Sequence, residues 1–230
     1  MNILYSRLVP LVGRRTFRFP DAAWRYVSPR FSQFGEDAAL LWLMSGKPSG
    51  FYVDVGAYHP VKFSNTYLFY LTEGWRGINI DANPQSIRLF DEERPRDINV
   101  CAGISDKEEV LKYYQFEEGA INSLSEEKAQ ELIANGMQPI SMEEVHTKTL
   151  KQLFEEHLPQ GQGIDFMSVD CEGLDLQVLQ SNDWDLFRPG ILLAEEHTDK
   201  TKTAIEAYCH EIGYRMINWV GPTKFFKDVR

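Results

Sequence analysis

At 230 residues the chain is long enough to bury one α/β core and short for two domains. A formal net charge of −10 argues against a nucleic-acid partner, because phosphate binding needs clustered lysine and arginine. Cys101, Cys171 and Cys209 are odd in number and lack metal-knuckle spacing, which points to reduced thiols; with no apolar run of spanning length, the expectation is a cytoplasmic protein without a transmembrane segment.

Residues 1–30 read as an N-terminal arm, apolar in patches, interrupted by Arg7 and Pro10 and basic at Arg14, Arg15 and Arg18. A peripheral membrane contact is the alternative for that arm. Residues 31–230 read as one domain. A helix is predicted over 32–44, with Ser32 as N-cap and Glu36 and Asp37 in its first turns. The short β-branched run 51–55 reads as a buried strand that ends at Gly56 and Ala57. A helix over 64–71, a strand over 77–81, a helix from Pro84 to 92 and a strand over 97–102 follow. This strand-helix alternation is the half-unit of a doubly wound sheet.

Residues 110–116 read as an additional strand, and 117–145 as an irregular insertion or lid containing a short helix at Glu126–Ala134. A helix at Leu150–His157 leads to a strand over 164–169 that ends in Asp170. Next come a helix over 174–179, a strand over 191–194 that runs into Glu195, Glu196 and His197, and a helix over 201–212. Two strands, 215–220 and 224–227, close the chain.

Polar residues stand at four strand ends: Asp54, Asp81, Asp170 and the Glu195–His197 group. Any one of them could cap the helix that follows, and this is the preferred reading for Asp106 and Asp175. All four on one edge point instead to a crevice at the carboxyl ends of the strands. In that crevice Gly56, with Ala57, lets backbone approach a ligand, and Asp81, with Ala82 after it, takes both ribose hydroxyls. A dinucleotide would need Gly-x-Gly-x-x-Gly to seat its pyrophosphate, and this turn has one glycine. A nucleoside cofactor with an amino-acid portion and no phosphate suits it better. S-adenosylmethionine fits, with Ser105 and Asp106 beside its adenine.

Several segments, in order from residue 31 to 197, resemble the FkbM family of S-adenosylmethionine-dependent methyltransferases. They are Gln33-Phe-Gly-Glu-Asp37, residues 51–60, Ser64-Asn-Thr-Tyr67 with Gly74-Trp-Arg-Gly77, Asn79-Ile-Asp-Ala-Asn-Pro84, Asp170-Cys-Glu-Gly-Leu-Asp175 and the glutamate-histidine group. The resemblance implies a class I methyltransferase, Rossmann-like α/β fold: a seven-stranded, mostly parallel sheet with its last strand antiparallel and helices on both faces. Two departures are Asp81, where the family more often has Glu, and Glu196, where an apolar residue is common. The implied activity is O-methylation of a sugar, glycan or glycosylated small molecule. Its rival, a non-catalytic nucleotide- or sugar-binding module, should have lost the strand-tip acids.

His197 is the first choice as general base, against a surface histidine capping the next helix. Asp170 is the second choice, as base or as orienter of the hydroxyl, with Glu195 beside it. A third option lets Asp170 and Glu195 or Glu196 hold magnesium to acidify that hydroxyl. His59 divides between the methionine end of the cofactor and packing on Pro60, and Asn65 between a helix cap and a cofactor contact. Glu172 is an N-terminal helix charge or a substrate contact. Gln33 and Glu36 sit on a helix able to fold over the cofactor, and residues 122–125 on a substrate wall or a plain loop. Trp75 and Trp184 read as core. The expected partner is a small molecule or glycan, and a homo-oligomer is left open.

Overall fold

The computed structural model describes residues 30–72, 74–196 and 203–230. In chain order the elements are α1 (Glu36–Leu43), β1 (Gly50–Val55), α2 (Tyr67–Tyr70), β2 (Trp75–Asp81), α3 (Pro84–Glu93), β3 (Ile98–Cys101) and β4 (Gly103–Ile104). Then come β5 (Val110–Gln115), α4 (Glu126–Ala134), β6 (Ser141–Lys148), α5 (Leu150–His157), β7 (Phe166–Val169), α6 (Asp175–Gln180), β8 (Ile191–Glu195), α7 (Ala204–Glu211), β9 (Tyr214–Val220) and β10 (Thr223–Asp228).

Seven strands form one sheet in the order β3-β2-β1-β7-β8-β10-β9, with only β10 antiparallel to its neighbours. This is the class I methyltransferase, Rossmann-like arrangement that the sequence led us to expect. Alternation along the strands supplies two apolar faces. Phe51, Val53 and Val55 of β1 pack with Ile78, Ile80, Met167 and Val169 against α5, α6 and α7. Tyr52, Phe166, Leu193 and Phe225 pack with Trp75 against α1 and α2. Trp75 and Trp184 are both buried in these cores.

A second, three-stranded sheet has the order β4-β6-β5, and Tyr114 and Phe116 at the end of β5 bury Ala129 and Leu132 of α4. Strand β6 had no prediction. Its Ser-Met-Glu-Glu-Val-His run is largely exposed and is held by an antiparallel ladder to β5, a pairing that no local pattern announces.

Two helices are shorter than predicted because serines fold local turns instead of capping them. Ser32 Oγ accepts from the N–H of Gly35 and Asp37, so α1 starts after Gly35, which is left-handed at φ 104°. Ser64 Oγ accepts from the N–H of Thr66 and Tyr67, and α2 starts only at Tyr67. No helix among the described residues is long and apolar enough to cross a membrane.

Arg94, the residue after α3, has a side chain with 0% exposure and pairs with the equally buried Asp97 at 2.9 Å. Removing one partner of such a pair strands the other charge. Arg94→Met, which leaves Asp97 without its cation, should lower unfolding free energy by about 3–5 kcal/mol in urea denaturation.

Candidate active site at the strand tips

The register of the parallel strands sets the site. Val55 pairs with Ile80 on one side and Val169 on the other, and Val169 pairs with Ala194. The next residue on each strand therefore falls in one row along the carboxyl edge: Asp81, Gly56, Asp170, Glu195. A cavity of about 280 Å³ opens over this row, near the lower end for sites that take a small molecule.

Gly56 is where the row is tightest. Its φ is +75°, and a Cβ built there would lie 1.7 Å from the Asp170 carbonyl oxygen. The glycine was expected to admit a ligand. It first admits the neighbouring strand tip. The N–H groups of Gly56 and Ala57 both donate to the Ile80 carbonyl, which ties the turn to β2. Tyr58 follows with a left-handed backbone, φ 54°, and its N–H donates to Asp81 Oδ2 at 2.7 Å.

Asp81 Oδ1 takes the Asn83 N–H, also at 2.7 Å, so each carboxylate oxygen holds one backbone donor and keeps capacity for another. Burial outweighs those donors and raises its pKa to about 6. Ala82, Ala102 and Ile104 form an apolar wall beside it. These residues fit a nucleoside, with acceptors for two hydroxyls next to a flat apolar surface. Asp54 lines the same cavity, accepts from Thr66 Oγ1 at 2.8 Å and has its pKa raised by burial. Asn65 also lines it, its Nδ2 donating to Ser168 Oγ.

At the other end of the row stand Asp170, Glu172 and Glu195, with carboxylate oxygens within 4.8 Å of one another. Asp170 is hydrogen-bonded to Glu195, and burial together with that neighbouring carboxyl drives its pKa well up. Asp170 Oδ1 is buried with no hydrogen-bond partner. Asp175 was expected to cap the following helix; it is instead the first residue of α6 and accepts from the N–H of Cys171 and Gly173, so it holds the loop before the helix.

Asp54, Gly56, Ala57, Asn65, Asp81, Ala82, Asp170 and Glu195 thus share one cavity, and Gln33, Glu36, Glu172 and Asn122 join them. Four expected residues do not. His59 turns its Nδ1 to the N–H groups of Val61 and Lys62 and closes a local turn. Ser105 and Asp106 face a separate hollow with Glu109, because β4 carries the chain toward β6 immediately after Gly103 and Ile104. Glu196 pairs with Lys224 at 3.0 Å and with Thr203, which leaves Glu195 as the glutamate in the cavity. His197 lies outside the described residues.

The sequence reading missed the aromatic rim. Phe34, Tyr58 and Phe63 line the mouth, and the rings of Tyr58 and Phe63 stack at 6.3 Å. Tyr58 Oη donates to Glu118 at 2.9 Å, and Lys62 pairs with Glu118 at 3.0 Å, so this rim bridges to the segment before α4. The left-handed backbone of Tyr58 and Phe63 has no signature in residue type, which is why neither was singled out.

The fold is that of an α/β enzyme of the methyltransferase class. The family model described as the methyltransferase FkbM domain matches residues 54–216, and the chain belongs to that family. Among solved structures, it is similar to a methyltransferase FkbM from Methylobacillus flagellatus KT, at 15% identity and a TM-score of 0.46, over 78% of this chain and 44% of that one. The chain therefore spans less than half the length of that relative. It is also similar to a putative RNA methyltransferase from Pyrococcus horikoshii, at 12% identity and a TM-score of 0.44, over 93% of each chain. No curated protein matches the chain.

A side chain at Gly56 has to displace backbone. Gly56→Ala should therefore lower the stability by about 2 kcal/mol or more in thermal or urea unfolding. Gly136→Ala is the control: φ is +90° there but nothing lies within 4 Å, so only the conformational cost of about 1 kcal/mol is expected.

Proposed function

We propose that this methyltransferase uses S-adenosylmethionine to methylate a hydroxyl group of a sugar, glycan or glycosylated small molecule. One observation carries the reading: the row Asp81, Gly56, Asp170, Glu195 sets a buried acid with room for further donors and a hydrogen-bonded carboxyl pair at opposite ends of one cavity. S-adenosylmethionine supplies a methyl group on a sulfonium, and the electrons of the broken S–C bond leave on sulfur.

In this reading Asp81 accepts the two ribose hydroxyls, Ala82 and Ala102 face the base, and Asp54 draws the positively charged end. Asp170 and Glu195 hold the acceptor hydroxyl in line. His197, two residues beyond the last residue of β8 in the sequence, takes its proton, with Asp170 as the alternative base. The segment 117–145 acts as a lid on the acceptor side. Glu36, Asp54, Asp81, Asp170, Glu172 and Glu195 against Lys128 make the described lining acidic, which suits a neutral acceptor and opposes a polyanionic one such as RNA.

A second reading gives Asp170, Glu172 and Glu195 a magnesium ion that would acidify the acceptor hydroxyl. It is favoured by their mutual spacing and by the partnerless Asp170 Oδ1.

Calorimetric titration with S-adenosylmethionine, S-adenosylhomocysteine and NAD tests the cofactor. The two sulfur cofactors alone should bind, and Asp81→Ala should abolish that binding. His197→Ala should keep binding and lose turnover. Normal turnover by both variants would refute the assignment.

The ribose contact needs Asp81 ionised, and its raised pKa makes protonation easier, so affinity should fall as pH drops through 6, about tenfold for each further unit. A titration series across that range checks the sign. Chelation of divalent ions should leave turnover unchanged; its loss, with recovery on added magnesium, would favour the second reading.

A further inference from the structure

Behind the cavity, on the face away from α5, lies a buried polar chain that the proposed chemistry does not call on. Arg94 NH1 and NH2 each donate to Thr66 Oγ1 at 3.0 Å, and Thr66 Oγ1 donates to Asp54 Oδ2 at 2.8 Å. The direction of that last bond is forced. A guanidinium can only donate, and a hydroxyl oxygen has two lone pairs, both of which Arg94 occupies. The neighbouring Ser64 Oγ, 3.2 Å from Thr66 Oγ1, already accepts from the N–H groups of Thr66 and Tyr67 and is left to donate as well. The Thr66 hydrogen therefore has one destination, Asp54, and Oδ2 of that carboxylate cannot itself carry a proton.

Arg94 is held rigidly for the task. Its Nε is bound by Asp97, whose oxygens are further engaged by Tyr52 Oη, the Gly77 N–H and Asn79 Nδ2. The rings of Tyr52, Tyr70 and Phe90 surround the guanidinium at 5.1–5.4 Å. Its NH1 also donates to the Pro60 carbonyl, so that Pro60 and Thr66 fix both ends of the 60–66 segment whose Phe63 and Asn65 line the cavity. A fully buried charge costs several kcal/mol in desolvation, and packing alone would be served as well by apolar side chains. What an arginine adds here is donors.

We infer that Arg94 and Thr66 are positioning residues that hold Asp54 ionised and fixed in the cavity, ready for the positively charged end of the cofactor. The inference rests on the cofactor reading given above. The groups that face Asp54 are Thr66, Arg94 and Asp97 behind it, Asp81 on the adjacent strand, and Asp170, Glu36 and Glu195 around the cavity. Most of these are acidic and, with burial, favour protonation of Asp54. The Thr66 hydrogen bond and the Arg94 charge oppose it.

The test compares Thr66→Val, which removes the hydroxyl at constant shape, with Thr66→Ser, which keeps it. Calorimetric affinity for S-adenosylmethionine should be near wild type in T66S and about tenfold or more weaker in T66V, one hydrogen bond to a charge. The acid limb of the affinity profile should move to higher pH in T66V alone. A carbon-13 NMR titration of the Asp54 carboxyl needs no ligand, and its midpoint should rise in T66V and hold in T66S. That outcome upholds the relay even if the wild type binds no sulfur cofactor, a result that would instead sink the proposed function. A folded T66V with wild-type affinity and wild-type midpoint overturns the inference. So does a T66V that fails to fold beside a folded T66S, which would make the hydroxyl a folding requirement only.

Discussion

The site depends on how closely two parallel strands approach at their carboxyl ends. Where β1 leaves the sheet, the carbonyl oxygen of Asp170 occupies the space a Cβ would need at position 56, and the positive φ of Gly56 turns the chain away at that point. With any other residue there the two tips part, and the spacing of the row is lost. Asp81 is aligned by the same turn, through the N–H of Tyr58, and Asp170 by the ladder bond from its own N–H to Val55. One missing side chain thus sets the distance between Asp81 and the carboxyl pair Asp170 and Glu195.

The second constraint is electrostatic. A row of buried acids repels itself, and burial lifts the proton affinity of Asp54, Asp81, Asp170 and Asp175 alike. The fold answers differently at each position. Asp81 and Asp175 are offset by backbone N–H groups and Asp54 by Thr66 and the Arg94 charge, whereas Asp170 has the Glu195 carboxyl beside it, which raises its proton affinity further. Four acids of one kind are given different surroundings, three of them, Asp54, Asp81 and Asp170, lining one crevice.

Much of this was legible in the sequence. The strand-helix alternation, the acids closing each strand and the lone glycine led to the sheet and to one edge of it. Helices such as Glu126–Ala134 and Leu150–His157 came out at their observed bounds, since capping serine and threonine hydroxyls precede them. What escaped was decided by partners distant in sequence. Strand β6 exists through its ladder to β5. Asp106 left the cavity because β4 pairs with β6. His59 is spent on a local turn that its imidazole completes, and Ser32 and Ser64 stop helices that they were expected to start. Arg94 gave no signal at all, since an arginine closing a polar helix reads as a solvated charge until its burial is seen.

The cavity is bounded by walls of unequal stiffness. On the α3 side, Arg94 and Asp97 are sealed among aromatic rings, and parting them costs several kcal/mol. On the side of α4 the closure is Lys62 with Glu118, both about half exposed, an ion pair of the sort worth about 1 kcal/mol or less and weakened by salt. Thermal motion parts the second wall readily and the first almost never. The α4 side is therefore the wall that parts at the lower cost, and that cost, unlike the geometry of the floor, varies with ionic strength.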